Sequence, residues 1–243
     1  MNPGAKALAL ARGFVLTVWM GAIALVLGLI SAPIIPFAPK KTIGFIRLWS
    51  RAVLFGLRTI CGVTVEVRGL ENLPRHGVLI AAKHQGGLDM VAPFVFLSEP
   101  AFVMKKELLA IPVFGAYAQT SGQIVIDRDG GAATLRAMIK AVRDRFDQGR
   151  QIIIFPEGTR KAPGAPPDYK PGLAGLYREL NIACTPIATN SGACWPPKGM
   201  AKYPGRVVFE ILPTIPAGMK RAEFMREVET RIEAASEALR HKP

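Results

Sequence analysis

The sequence predicts an α/β fold: a mainly parallel sheet flanked by helices, preceded by an N-terminal membrane-binding segment of two helices. Three observations predict it. Seven short apolar runs of strand character follow residue 60, and helical patterns lie between several of them. Four of these runs lead directly into polar clusters, and in open α/β sheets ligands bind at the carboxyl ends of strands. The chain begins, by contrast, with a long uncharged stretch and a helix carrying arginines along one side. We therefore divide it into residues 1–60, two membrane-anchoring helices, and residues 61–243, the α/β domain.

Between Arg12 and Lys40 there is no charged residue, and "GFVLTVWMGAIALVLGLISAPIIPFAP" is long enough for a membrane helix, which needs roughly 20 apolar residues. We expect a helix over about 8–31, ended by Pro33 and Pro36. The run is long for the apolar region of a cleaved signal peptide, and a helix apolar on all sides is uncommon as a core element in a chain of this size. A second helix is expected over about 42–60. Arg47, Arg51 and Arg58 fall within about 40° of one another on it. Such a stripe suits the bilayer interface, with the apolar body in acyl chains and the guanidiniums at phosphates.

The strand candidates follow. "VTVEVR" (63–68) alternates apolar and polar residues, and "VLIAA" (78–82) is continuous, as in a strand buried on both faces. Further candidates are 101–104, 123–126, 151–155, 182–188 and 206–212. Helices are expected over roughly 88–98, 131–148, 172–180 and 221–241. Proline- and glycine-rich loops occupy 161–172 and 194–205.

Composition restricts the function. Half of the 243 residues are hydrophobic, and the formal net charge is +13. The mean hydropathy is +0.25 and the pI about 10.1. Acidic partners are implied: anionic lipid, nucleic acid or a phosphorylated substrate. The first 65 residues hold seven of the basic residues and no acid. A nucleic-acid surface has no use for the adjoining uncharged run, so we expect membrane lipid and no nucleic acid. Cys61, Cys184 and Cys194 are odd in number and lack CxxC spacing, which argues against a disulfide framework or structural zinc. We expect no metal site.

The polar clusters carry the chemistry. "VLIAA" runs into "KHQGGLD", "AFVM" into "KKELLAIPVFG", "QIVI" into "DRDGG", and "QIIIF" into "PEGTR". His84 and Asp89 are five residues apart, about 140° around an uninterrupted helix, so they meet only if the chain bends. Gly86 and Gly87 permit such a bend. Asp89 would then hold one imidazole nitrogen and leave the other free to take a proton. That is a base with its orienting acid but no protein nucleophile, so the base must activate a hydroxyl of the substrate. The other histidines, His76 in a turn and His241 near the C-terminus, lack such surroundings. In "FPEGTR", Pro156 and Gly158 shape a tight loop, Glu157 can accept from a hydroxyl, and Arg160 offers a planar fork for phosphate.

Taken in order, these blocks resemble the glycerolipid acyltransferase family, the group that includes 1-acylglycerol-3-phosphate acyltransferases. "HQGGLD" matches its His-x4-Asp block, "KKELLAIPVFG" with "IVIDR" its second, "FPEGTR" its third, and "TPIATNSG" its proline-containing fourth. The matches span residues 83–192. Lys83 stands where the family often has Asn, and Gly86 where it often has Ser; His84 and Asp89 are intact.

The resemblance implies an O-acyltransferase of phospholipid biosynthesis. An acyl thioester, on coenzyme A or acyl carrier protein, is the donor and co-substrate, with no other cofactor. A lysophospholipid hydroxyl is the acceptor. His84 and Asp89 are implied as catalytic residues, and Lys105, Lys106, Arg128 and Arg160 as candidates for the acceptor's phosphate. Glu157, Gly158 and Thr159 would shape the glycerol site. The enzyme would work at the cytoplasmic face of the cell membrane. Oligomeric state is not readable. Three alternatives stand beside this: a family member acting on a lyso-aminolipid such as lyso-ornithine lipid, a thioester hydrolase, and a non-catalytic membrane-anchored basic protein.

Overall fold

A computed structural model describes residues 2–74, 77–111, 113–127 and 131–241, with backbone alone for 131–134. His76 and Arg128, both singled out in the sequence, lie outside the described residues.

Helix α1 spans Pro3–Ser31, starting several residues earlier than expected. Asn2 caps it by accepting from the Gly4 N–H at 3.0 Å, and Pro3 takes the first helical position, where no amide donor is needed. It stops just before Pro33. Helix α2, Thr42–Cys61, ends where Gly62 turns left-handed at φ 67°. The sheet strands are β1 (Val63–Arg68) and β2 (Val78–Ala82), then, after two short helices α3 (Leu88–Val91) and α4 (Pro93–Phe96), β3 (Pro100–Lys105). Next come α5 (Phe114–Thr120), β4 (Ile124–Ile126), α6 (Gly131–Asp147), β5 (Gln151–Ile154), α7 (Gly172–Leu180), β6 (Cys184–Thr189), α8 (Ser191–Cys194), β7 (Gly205–Ile211) and α9 (Arg221–His241).

One expectation changes here. The helix expected over 88–98 is two helices, broken at Ala92 by Pro93. Proline lacks the amide that would continue the ladder, and it serves instead as the first residue of α4. Helices α5 and α8 had no counterpart in the sequence reading.

The seven strands lie in the order β1-β7-β6-β2-β5-β3-β4. All neighbours are parallel except β6 and β7. The sheet is thus mainly parallel, as expected, with β1 and β7 reversed together. Strands β2, β5, β3 and β4 are consecutive neighbours running the same way, so the four polar clusters that follow them leave from one edge.

The central strands are apolar on both faces because both faces are covered. Val78, Ile80 and Ala82 point to one side, with Phe102, Ile153 and Ile187. Leu79 and Ala81 point to the other, with Val103, Ile152 and Ile154. Helices α6, α7 and α9 close the second side, where Tyr177 and Phe224 stack at 3.7 Å between ring centroids.

The first side is closed by the N-terminal helices. Leu16 of α1 and Val53, Leu57 and Cys61 of α2 belong to the same cluster as the strand residues. This corrects the reading of α2. One side of its apolar body, with Val53 and Leu57, is buried against the protein, while Leu48 and Phe55 stay exposed. Arg47, moreover, donates from Nε to the Phe94 carbonyl at 3.1 Å and from Nη2 to the Leu97 and Ser98 carbonyls. It thereby satisfies the orphan carbonyls at the end of α4 and does not face a headgroup. Arg51 and Arg58 are exposed.

Helix α1 touches the protein along a narrow stripe that includes Ala9, Gly13 and Leu16. The indole N–H of Trp19 donates to Ala52 O at 2.9 Å, and that of Trp49 to Met20 O at 3.1 Å. Ser31 bonds the Tyr117 hydroxyl near the far end. The rest is open: Phe14, Val18, Leu25 and Leu29 are exposed, as are Phe37 beyond it and Phe55 on α2. Among the described residues α1 is the one helix long and apolar enough to cross a membrane, with mean hydropathy 2.3 and 11% of that window buried. An apolar surface this continuous marks a contact with something other than water.

Two glycines of α1 test this packing. A Cβ on Gly13 would overlap the Met200 carbonyl, whereas one on Gly21 would meet nothing within 4 Å. Gly13→Val should destabilise the folded protein by about 1–3 kcal/mol or more through overpacking. Gly21→Ala should be neutral or stabilising by up to about 1 kcal/mol. Thermal unfolding of both variants in detergent checks this; equal behaviour would mean that α1 is not docked along the Gly13 stripe.

Candidate active site

The site forms where β2 ends. Beyond Ala82 the chain leaves the sheet, bends through residues 83–87 and enters α3, whose first turn carries Asp89. The bend brings His84 and Asp89 together, as the sequence required: His84 Nδ1 lies 3.0 Å from Asp89 Oδ2. The same oxygen accepts from the Gln85 N–H at 2.6 Å and the Gly86 N–H at 2.8 Å. The other oxygen accepts from the Ser191 hydroxyl. Asp89 is therefore an acceptor only, which assigns the Nδ1 proton to His84 and leaves Nε2 with its lone pair. The Phe155 ring stacks on the imidazole at 4.0 Å and 14°, fixing its plane.

The two glycines serve a different purpose from the one expected. Neither has a positive φ, and Gly87 is right-handed at φ −65°. They are small because Trp195 lies across them. A Cβ on Gly86 would overlap the Trp195 carbonyl oxygen, and one on Gly87 would meet the indole at 2.9 Å. Lys202 sits over that indole, 4.6 Å from the ring centroid.

Glu157 also departs from expectation. It is almost fully buried, and both its oxygens are engaged by protein: Oε1 with the Lys83 ammonium at 2.7 Å, Oε2 with the His84 backbone N–H at 2.8 Å. It holds the loop and is not free to accept from a substrate hydroxyl. Burial raises its pKa above the usual carboxylate range, against the pull of Lys83 and the His84 amide. Burial alone would lower the Lys83 pKa, but Glu157 and Glu233 outweigh it and keep the ammonium charged. Gly158 is left-handed at φ 67°, which lets the loop turn outward and fits the tight turn read from the sequence.

Thr159 and Arg160 are exposed on that loop, and Lys105 and Lys106 are exposed where β3 ends. Lys106 pairs with Asp127 at 2.9 Å. Since β3 neighbours β5, these basic groups flank the same edge of the sheet as His84. Arg128 lies outside the described residues. Burial pushes the Cys184 thiol up to about 12 and that of Cys194 up to about 11, so neither supplies a thiolate nucleophile.

Several participants escaped the sequence reading. Ser191 lay inside "TPIATNSG", but nothing pointed its hydroxyl at Asp89. Lys83 adjoined the histidine and was noted only as a departure. Glu233, on α9, carried no signal. Beside Phe155, Pro156 and Gly158 a largely apolar cavity of about 500 Å³ opens, walled by Val103, Ile126 and Leu173.

Comparison with known proteins places the chain in a family. The family model described as "Acyltransferase" matches residues 64–190, which contain every block quoted above except the last residues of the fourth. A 1-acyl-sn-glycerol-3-phosphate acyltransferase of Pseudomonas aeruginosa is 33% identical over 203 residues, covering 84% of this chain and 79% of the relative. The corresponding protein of Limnanthes alba is 28% identical over 192 residues, 77% of this chain and 67% of the relative. Among solved structures, the 1-acyl-sn-glycerophosphate (LPA) acyltransferase of Thermotoga maritima shares the fold, with a TM-score of 0.76, 22% identity, and coverage of 94% of this chain and 97% of that one. On the extent of the family match and the identity to its members, the chain belongs to the acyltransferase family.

Proposed function

We propose that the protein transfers a fatty acyl group from an acyl thioester to the free sn-2 hydroxyl of 1-acylglycerol-3-phosphate, giving phosphatidic acid. The observation that carries this reading is the His84–Asp89 pair, whose carboxylate is held by three further donors, Gln85, Gly86 and Ser191. The relatives' acceptor and the basic groups along the same edge support the choice of lysolipid.

In this mechanism the lysolipid hydroxyl approaches Nε2 of His84. The oxygen attacks the thioester carbonyl as its proton passes to the imidazole. Asp89 holds the imidazolium formed, and its orientation is fixed beforehand by Gln85, Gly86 and Ser191. When the tetrahedral intermediate collapses, the C–S bond breaks and the thiolate leaves, taking the proton back from His84. The balance is one ester formed, one thioester broken, with no acyl-enzyme and no metal required. The donor is acyl-CoA or acyl carrier protein, and the apolar cavity beside Phe155 has the lining an acyl chain needs. Arg160, with Lys105 and Lys106, faces the acceptor's phosphate. Thr159 and Gly158 border the glycerol.

Helix α1 anchors the enzyme in the bilayer, with the site on the cytoplasmic side where both donors occur. Docking of α2 on the domain leaves Arg51 and Arg58, rather than all three arginines, for anionic headgroups.

His84→Ala should lower acyl transfer by roughly 10²–10⁴-fold with folding and membrane binding retained. Asp89→Asn should also be severe, since an amide can donate to Nδ1 and favour the wrong tautomer. Product analysis with a lysolipid panel and both donors checks this. A His84→Ala enzyme of near-normal rate would leave a basic lipid-binding protein as the better reading, and release of free fatty acid alone would indicate a hydrolase.

Arg160→Ala should weaken use of a phosphate-bearing acceptor by about ten- to a hundredfold, the worth of one charge-assisted hydrogen bond of roughly 1.5–3 kcal/mol. Steady-state rates with acceptors having and lacking the phosphate distinguish the roles. Equal losses on both would make Arg160 structural and favour a lyso-aminolipid acceptor.

Sedimentation with vesicles tests the anchor. High salt should leave the protein bound, because burial of α1 is apolar. Neutralising Arg51 and Arg58 should reduce the preference for anionic vesicles by about 1 kcal/mol for each charge. Complete release by salt would mean that α1 does not insert.

A further inference from the structure

We infer that Glu233, on α9, is a positioning residue for His84, acting through Lys83 and Glu157. The inference rests on the reading of His84 as the general base and extends it to a helix 150 residues away.

The contacts form an unbroken chain. Tyr169 donates its hydroxyl to Glu233 Oε1 at 3.0 Å. The Lys83 ammonium donates to both Glu233 oxygens, at 2.6 and 2.8 Å, and lies 2.7 Å from Glu157 Oε1. The second Glu157 oxygen receives the His84 N–H at 2.8 Å. On its other side the His84 carbonyl accepts from the Lys161 N–H at 2.8 Å. The main chain of His84 is thus clamped by the 157–161 loop from both sides, and a single lysine ties that clamp to α9. Helix α9 is itself anchored on β6: Ser236 accepts from the Thr189 N–H at 3.3 Å, and Asn190 donates to Leu239 O at 3.2 Å. A side chain on a well-anchored helix therefore sets where the imidazole stands.

The link is electrical as well as mechanical. Among the described residues the charged or titratable groups around His84 include Asp89 on α3, Lys83 beyond β2, Glu157 and Lys161 on the loop after β5, Tyr169, and Glu233 on α9. Burial holds the Tyr169 phenol far above its usual range, so it stays a donor. With both carboxylates ionised, one ammonium between them leaves the Lys83–Glu157–Glu233 group with one net negative charge. Lys83 and Glu157 are buried, and screening is weak there. That charge favours the imidazolium formed as the hydroxyl is deprotonated. A staple that only holds the fold together would not have this effect. A cavity of about 250 Å³ opens onto Lys83 and Glu233 beside the Pro163–Pro167 loop. Glu233 keeps 27% side-chain exposure, so an isosteric change there is compatible with folding.

The test measures full-length protein in detergent micelles. Three histidines occur in the chain, so labelled imidazole resonances are few, and His84→Ala identifies the one of interest. Glu233→Gln removes the negative charge and should make the imidazolium less favourable. The His84 titration midpoint, and the acid limb of the kcat profile, should both move about half to one pH unit lower. Turnover should fall about tenfold with KM for both substrates unchanged. Tyr169→Phe keeps the charge and should leave the midpoint in place. In the Lys83→Met/Glu233→Gln double variant, the loss of kcat should be smaller than the product of the two single losses, because the two residues act as one unit. If Lys83→Met does not fold, the Glu233→Gln midpoint decides the matter. An unmoved midpoint in Glu233→Gln, an equal shift in Tyr169→Phe, or additive losses in the double variant would each overturn the inference while leaving His84 as base. An active His84→Ala enzyme would instead overturn the reading on which it rests.

Discussion

A buried carboxylate must be given donors, and much of the site is arranged to meet that need for Asp89. The residue is 2% exposed. Left ionised without partners there, it would cost on the order of several kcal/mol. Its four donors come from the imidazole, from two amides of the loop it closes, and from a hydroxyl on α8. Amides at 85 and 86 can converge on one oxygen only if the chain doubles back at once into α3. Where the chain doubles back, Trp195 passes over two residues without side chains. The same carboxylate thus holds the bend and the tautomer of the base.

The second buried ion group obeys the same rule with a different sum. Lys83 is enclosed by Glu157 and Glu233, and forms an ion pair with each. Three segments far apart in the chain meet at that ammonium: the end of β2, the loop after β5 and the middle of α9. Around these polar groups the sheet is apolar on both faces, covered on one side by the N-terminal helices and on the other by α6, α7 and α9. The long apolar helix α1 and the His84 site are consequently parts of one packed body. Helix α2 in particular faces the core with Val53 and Leu57 while presenting Phe55 outward.

How much of this was legible depended on the range of the interactions. Strands such as 78–82 could be read because burial on both faces writes a continuous apolar run. His84 and Asp89 could be read because the two partners lie five residues apart and only a bend is needed. The break at Ala92 was legible in principle from Pro93, but the apolar pattern on both sides obscured it. Arg47 misled, because a guanidinium that meets lipid phosphate and one that caps a helix 47 residues later look alike in sequence. Glu157 misled for a related reason: a carboxylate beside a glycine turn looks available, and only the fold reveals that Lys83 and a backbone amide occupy it. Glu233 was invisible, since it is one acidic residue among several on an amphipathic helix and its partner is 150 positions away.

The reversal of β1 and β7 sorts the loops into two populations. Connections that leave β2 to β6 gather around His84, whereas those that leave β1 and β7 emerge from the opposite edge. The turn before α9 belongs to the second group. Pro216, Ala217 and Gly218 are exposed, Gly218 has φ 93°, and a Cβ there would meet nothing within 4 Å. It is a natural attachment point: a fluorophore, an affinity handle or a fused domain placed there stands a full strand length from the chemistry, where it can report on the enzyme without crowding it.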